Sequence, residues 1–257
     1  MKAAAAKRKN YKRFSTLFYL GSILFWIGLW QLAAVRLSKE LFLPAPAKVC
    51  RVLWKDLIPS REFWSSIQVS LLHIGTGFLA GALAGTGLAA LSFLCRPIRV
   101  LLWFPIKIIK SVPVASFVIL VLLWIPSSGL SVVIPFLMVL PVLYIHTLSG
   151  LEHTDQRLLE MAQIFRLSRW KKALQIYLPQ VLPQIGSACS LAIGMAWKSG
   201  IAAEIIGLSK GTMGNALYQA KIYLMTPELF AWTIVIVGLS IACEWGMKGL
   251  VRLLERI

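Results

Sequence analysis

Residues 158–185 read LLEMAQIFRLSRWKKALQIYLPQVLPQI. The stretch and the residue just before it carry five basic side chains: Arg157, Arg166, Arg169, Lys171 and Lys172. Apolar residues recur at helical spacing, first as Leu158, Met161, Ala162 and Phe165, then as Trp170, Leu174 and Tyr177. This pattern predicts two short amphipathic helices. The first covers about Asp155–Phe165, and the second runs from an N-cap at Ser168 to about Tyr177, with the break at RLS. Pro179 and Pro183 then open the next apolar run, since proline is tolerated in a helix's first turn. The surroundings are very different. The 257-residue chain is 58% hydrophobic, has a mean hydropathy of +0.75 and is only 14% charged, against about 25% in soluble domains. An amphipathic island in such a chain is either an interfacial element lying on anionic lipid or a docking surface for a partner.

Working outward, long apolar runs recur along the whole chain, which makes it an all-α polytopic membrane protein. The expected spans are Thr16–Val35, Ser66–Leu94, Val100–Ile125, Leu130–Leu148, Val181–Leu208 and Leu229–Leu250, six in all. Between the first two lies a mixed-charge stretch with a Pro-rich start and a short amphipathic helix. The basic start MKAAAAKRKNYKRF precedes an apolar run of span length, too long for a signal-peptide core, so it reads as a tail before a first transmembrane helix. The organisation is therefore a basic N-terminus (1–15) and one membrane domain (16–257) with the amphipathic loop at 150–180.

The net charge of +17 is a matter of topology rather than of nucleic-acid binding. Alternating sides along six spans, 18 of the 27 Lys and Arg fall on the side of the termini and the quoted segment. Eight fall on the other side, and Lys198 is left inside a span. By the positive-inside rule both termini and the amphipathic loop are cytoplasmic. Gly77, Gly81 and Gly85 recur every fourth residue in the second span and serve close helix packing. Pro105, Pro113, Pro135 and Pro141 kink spans three and four. There is no GxxxxGK[ST]: GLSKGT at Gly207 lacks the spacing. There is also no HExxH or GxSxG, and His73, His146 and His153 are scattered. Cys50, Cys95, Cys189 and Cys243 form no metal or disulfide pattern. No enzyme active site and no cofactor or metal site is expected in this chain.

The spacing of Glu160-x-Ala162 and Ile176-x-Leu178-Pro179 resembles the EAA loop of type I ABC importer permeases, whose pattern is E-A-A, three residues, G, nine residues, I-x-L-P. Met161 replaces the first Ala of that pattern, and Arg166 stands where the family has Gly. A Gly there serves a turn with positive φ, which Arg adopts only at a cost. LPAPAKV at Leu43, GLEHTDQRLLEMA at Gly150 and AAEIIG at Ala202 resemble the nitrate/sulfonate/taurine-like subgroup. The resemblance implies the type I importer permease fold and a bacterial cell-membrane location. It also implies a coupling helix seated on a separate ATPase subunit, which binds ATP and magnesium. The expected coupling residues are Glu160, Met161, Ala162, Arg166, Ile176, Leu178 and Pro179. The implied partners are two ATPases, a second permease chain (most simply an identical one), an extracytoplasmic solute-binding protein and the bilayer, with no nucleic acid.

Span five carries Trp197, Lys198 and Glu204 in MAWKSGIAAEIIG. Ionisable residues inside a span are costly and face a cavity or a partner. Six residues apart, Lys198 and Glu204 are separated by about 9 Å of rise and about 240° of rotation, so they do not pair on one helix. They either pair across helices or at a dimer interface, or line the translocation path with Trp197. Within the resembled subgroup the solute is a small anion such as a sulfonate, taurine or nitrate, with thiamine precursors and pyrimidines as the alternative. The alternative of another class is an ATP-independent channel or secondary carrier, for which an inverted repeat would be expected; none is visible.

Overall fold

The computed structural model describes residues 2–37 and 41–254, with side chains from residue 18 onward except 19, 20 and 254. The side chains of the basic N-terminus, Lys39 and Arg256 lie outside the described residues. All regular structure among the described residues is helical: α1 (Lys2–Leu37), α2 (Pro46–Val52), α3 (Arg61–Leu94), α4 (Arg96–Ser111), α5 (Val114–Val121), α6 (Ser127–Glu152), α7 (Gln156–Ile164), α8 (Arg169–Lys172), α9 (Leu178–Gly207), α10 (Met213–Ile222) and α11 (Thr226–Leu254), with π-turns at Leu53–Leu57 and Ala173–Tyr177. The spans α3, α6, α9 with its N-terminal extension, and α11 are long and apolar enough to cross a membrane; a fifth exists if α4 and α5 are counted together. The apolar part of α1, Gly21–Leu37, is shorter.

The helices fall into two compact units. The first comprises residues 1–60 and 219–233. Here Pro46 occupies the first turn of α2, where its missing N–H is no loss. Thr226 donates its hydroxyl to the Leu41 carbonyl at 2.7 Å, and Trp30 stacks on Phe230 with ring centroids 5.6 Å apart.

The second unit, residues 61–218 and 234–257, is built around α3, α6 and α9. The glycine row of α3 lies directly on the backbone of α6. A β-carbon on Gly81 would come 2.8 Å from the Phe136 carbonyl oxygen, and one on Gly85 2.6 Å from that of Leu140. On Gly77 it would come closer still to Val132. Glycine is required there because two backbones meet, as the row's spacing predicts. Across the same contact Tyr144 donates to Ser92 Oγ (3.1 Å) and His73 Nδ1 lies 3.1 Å from Ser131 Oγ. Val118, Leu130, Ile134 and Ala203 form one buried cluster, and Ala89, Ile106, Leu140, Tyr144 and Leu148 another.

Two expected elements differ. The third span, expected as one helix over Val100–Ile125, is α4 and α5 meeting at 107°. The cause is Pro113, which lacks an N–H and drives Val112 to the extended region (φ −79°, ψ 132°). The second amphipathic helix does not stop at Tyr177. It passes through one π-turn, Ala173–Tyr177, straight into α9, so that Arg169–Gly207 is one 39-residue helix. The wider turn accommodates Pro179, whose ring would otherwise press on the carbonyl one turn back.

Candidate functional site

The amphipathic segment leaves α6 at Glu152, whose carboxylate pairs with Arg99 of α4. Asp155 caps α7 by accepting the Arg157 N–H at 2.9 Å, and its own N–H donates to Gln180 Oε1, tying the start of α7 to α9. Ser168 caps α8 through the Lys171 N–H, as its position in the sequence predicts.

Between the two caps, α7 ends in a Schellman turn. The Leu167 N–H reaches the Ala162 carbonyl and the Arg166 N–H reaches that of Gln163, both at 3.0 Å. The residue at the left-handed position of this turn is Arg166, with φ 50°. The turn expected of a glycine is thus kept by an arginine. Leu208 and Leu224 take the same conformation after α9 and α10, with φ 53° and 56°.

The EAA-pattern residues separate into two sets. Ala162 and Ile176 are buried and fix the segment in place. Glu160, Met161, Arg166, Leu178 and Pro179 are exposed. Ile164 (79% exposed), Phe165 (71%) and Trp170 (74%) are exposed as well, as are Arg157, Arg169 and Lys171. Tyr177 is held by an edge contact to Phe93 at 5.4 Å.

In α9 the three residues noted from the sequence point different ways. Trp197 is buried, and its indole N–H donates to the Ile236 carbonyl of α11 at 3.0 Å. Glu204 is fully buried. Its Oε2 accepts the Ser70 hydroxyl (2.9 Å) and the Gly214 N–H (3.0 Å), while Ser70 Oγ in turn accepts the Met213 N–H (3.0 Å). Glu204 therefore ties α9 to α3 and to the first turn of α10, where a carboxylate is favoured by the unpaired amides. Gly214 is needed at that turn because a β-carbon there would strike the Glu204 side chain.

Lys198 is exposed and has no hydrogen bond or ion pair among the described residues. With Ser187, Leu191 and Met195 it forms a single exposed row along α9, flanked by buried residues on both sides. Sequence reasoning missed the row, although its i, i+4, i+8, i+11 spacing was legible. It could not have found Ser70 and Gly214, which lie 134 and 10 residues from Glu204 and carry no local signal.

This is an all-helical membrane chain with a capped, basic, apolar-faced segment between two spans. Residues 77–256 match the binding-protein-dependent transport system inner membrane component family, and the chain belongs to it. It is the permease subunit of an ABC importer, in which ATP hydrolysis resides in a separate subunit. It is 30% identical over 236 residues to the putative aliphatic sulfonates transport permease protein SsuC of Escherichia coli (strain K12), covering 90% of this chain and 86% of that one. It is 27% identical over 256 residues to the protein of the same name from Bacillus subtilis (strain 168), with 98% and 90% covered. The fold is also that of a solved bacterial alginate ABC transporter complex (TM-score 0.62, 16% identity, 95% of this chain and 98% of that chain).

Proposed function

We propose that the segment 150–180 is a cytoplasmic coupling loop that seats on a separate ATPase, and that the chain imports a small anion such as a sulfonate, taurine or nitrate. The observation that carries this reading is that Ile164, Phe165 and Trp170 are all exposed in a segment with exposed basic side chains, whose two short helices are capped by Asp155 and Ser168. Large apolar side chains exposed together on a fixed scaffold fit a partner's groove better than water. Glu160, Met161, Arg166, Leu178 and Pro179 are exposed in the same segment, and Ala162 and Ile176 are buried.

The working assembly in this proposal has two such permease chains, two ATPases and an extracytoplasmic binding protein. Six crossings are made by α1, α3, the bent pair α4–α5, α6, α9 and α11, which puts both termini in the cytoplasm. ATP closes the ATPase pair, the coupling loops move together, and the spans turn from inward-facing to outward-facing. Of the span-five residues, Lys198 lines the translocation path, while Trp197 and Glu204 hold the helix that carries it. The anion assignment draws on relatives named for aliphatic sulfonates, taurine and nitrate.

Glu160→Lys tests the coupling role. The variant is expected to insert in the membrane at the normal level but to lose ATPase co-purification or uptake. Normal values of both would refute the assignment.

A further inference from the structure

The exposed row of α9 does not face featureless surface. Leu191 and Met195 form one wall of a cavity of about 300 Å³, within the size range of small-molecule sites. The other walls come from α4 and α6 and include Lys110, Ile145 and His146. Lys198 continues the same row. Seven residues beyond Leu191, it stands within about 20° of it and about 10 Å further along the helix. The cavity thus has a lysine and a histidine in its lining and a second lysine in line with it on α9, with an apolar surface between.

Among the described residues no carboxylate lines the cavity. Glu204 is turned about 120° away from Lys198 on α9, and its Oε2 is occupied by Ser70 and Gly214. Glu244 of α11 abuts Gly194 on the flank of the row and makes no ion pair with Lys198. A lysine exposed on an apolar span without a counter-ion is strongly unfavourable against lipid. It is accommodated where a wet groove brings anions to it.

We propose that this groove between α4, α6 and α9 is the anion-selecting stretch of the solute path. Lys110, His146 and Lys198 attract the anionic head, and Ile145, Leu191 and Met195 receive its non-polar part. The proposal rests on the import reading above and adds Lys110 and His146 to it as specificity-determining residues. It also favours anions that carry an apolar portion over bare inorganic ones.

Thiol labelling tests it on the assembled complex in membranes. Cys50, Cys95, Cys189 and Cys243 are replaced by serine and Met195 by cysteine. The new thiol is then reacted with an anionic methanethiosulfonate (2-sulfonatoethyl) and with a cationic one (trimethylammonioethyl). Rates are normalised to a small thiol free in solution. The expected anion-to-cation rate ratio is roughly tenfold or more above that of the free thiol. It should fall toward the free-thiol value in Lys110→Met and Lys198→Met backgrounds, and butanesulfonate should protect the thiol better than nitrate. A ratio equal to the free thiol's, a ratio indifferent to both lysines, or no reaction with either reagent would overturn the proposal. The same preparation is probed for a co-purifying ATPase. If the ATPase is present and the ratio is flat, the groove fails and the import reading stands. If the ATPase is absent, the import reading itself fails.

Discussion

Arg166→Gly is expected to tighten the turn between α7 and α8. Arg166 holds φ 50° in a Schellman turn whose two hydrogen bonds, from Leu167 to Ala162 and from Arg166 to Gln163, are both 3.0 Å long. A side chain in the left-handed region costs about 1–2 kcal/mol. Glycine relieves this, but loses about 0.4–1 kcal/mol through the greater freedom of the opened chain. At the mid-points of these ranges the net gain is about 0.8 kcal/mol of local stability, which slows opening of the turn roughly fourfold. The assay is hydrogen exchange at the backbone amides of positions 166 and 167 in the solubilised complex, since exchange there reports local opening. Arg166→Asn should fall between the two, because asparagine tolerates this conformation better than arginine does. Exchange at Leu167 that is unchanged or faster in the glycine variant would refute the reasoning. It would mean that the arginine side chain holds the turn by contacts worth more than the strain.

Ser70→Ala removes a donor to Glu204 and strands the Met213 N–H, a loss of about 2–4 kcal/mol, read as earlier thermal unfolding of the solubilised protein. Glu204→Gln keeps an oxygen for Ser70 and Gly214 and should therefore retain most uptake; a collapse of anion uptake with normal stability would instead assign Glu204's charge to the path. Gly81→Leu should prevent α3 from closing on Phe136 of α6 and lower the yield of folded protein, whereas Gly87→Ala, with nothing within 4 Å of the added carbon, should be tolerated. Lys198→Met should lower uptake of anionic solutes and spare neutral ones, and equal rates for both would remove Lys198 from charge selection.

Much of this architecture is legible in the sequence because lipid imposes a coarse rule. Apolar runs must be helices, and glycines every fourth residue must be contacts between them. The cap at Ser168 and the row Gly77–Gly81–Gly85 are local and follow from residue type and spacing, whereas the turn at Arg166 follows only from the resemblance to the EAA pattern. What escapes is decided by competition or by distance. Pro113 was visible, but whether a proline kinks or breaks a helix depends on what receives the exposed backbone, and here α4 and α5 part by 107°. Pro179 argues for a helix start, yet a single π-turn carries the helix through it. Glu204's partners come from α3 and the α10 turn, and no periodicity links residue 70 to residue 204. Lys110 counts toward the charge asymmetry in the sequence, and only the packing of α4 beside α6 and α9 shows that it lines a cavity.

The claim that matters most is that residues 150–180 are a seat for an ATPase. Mass spectrometry of the gently solubilised, affinity-purified complex tests it directly. The account predicts a P-loop ATPase at one copy per permease chain, lost when Ile164, Phe165 and Trp170 are replaced together by serine. A chain recovered alone or only with itself, or an ATPase retained by that triple variant, would contradict it.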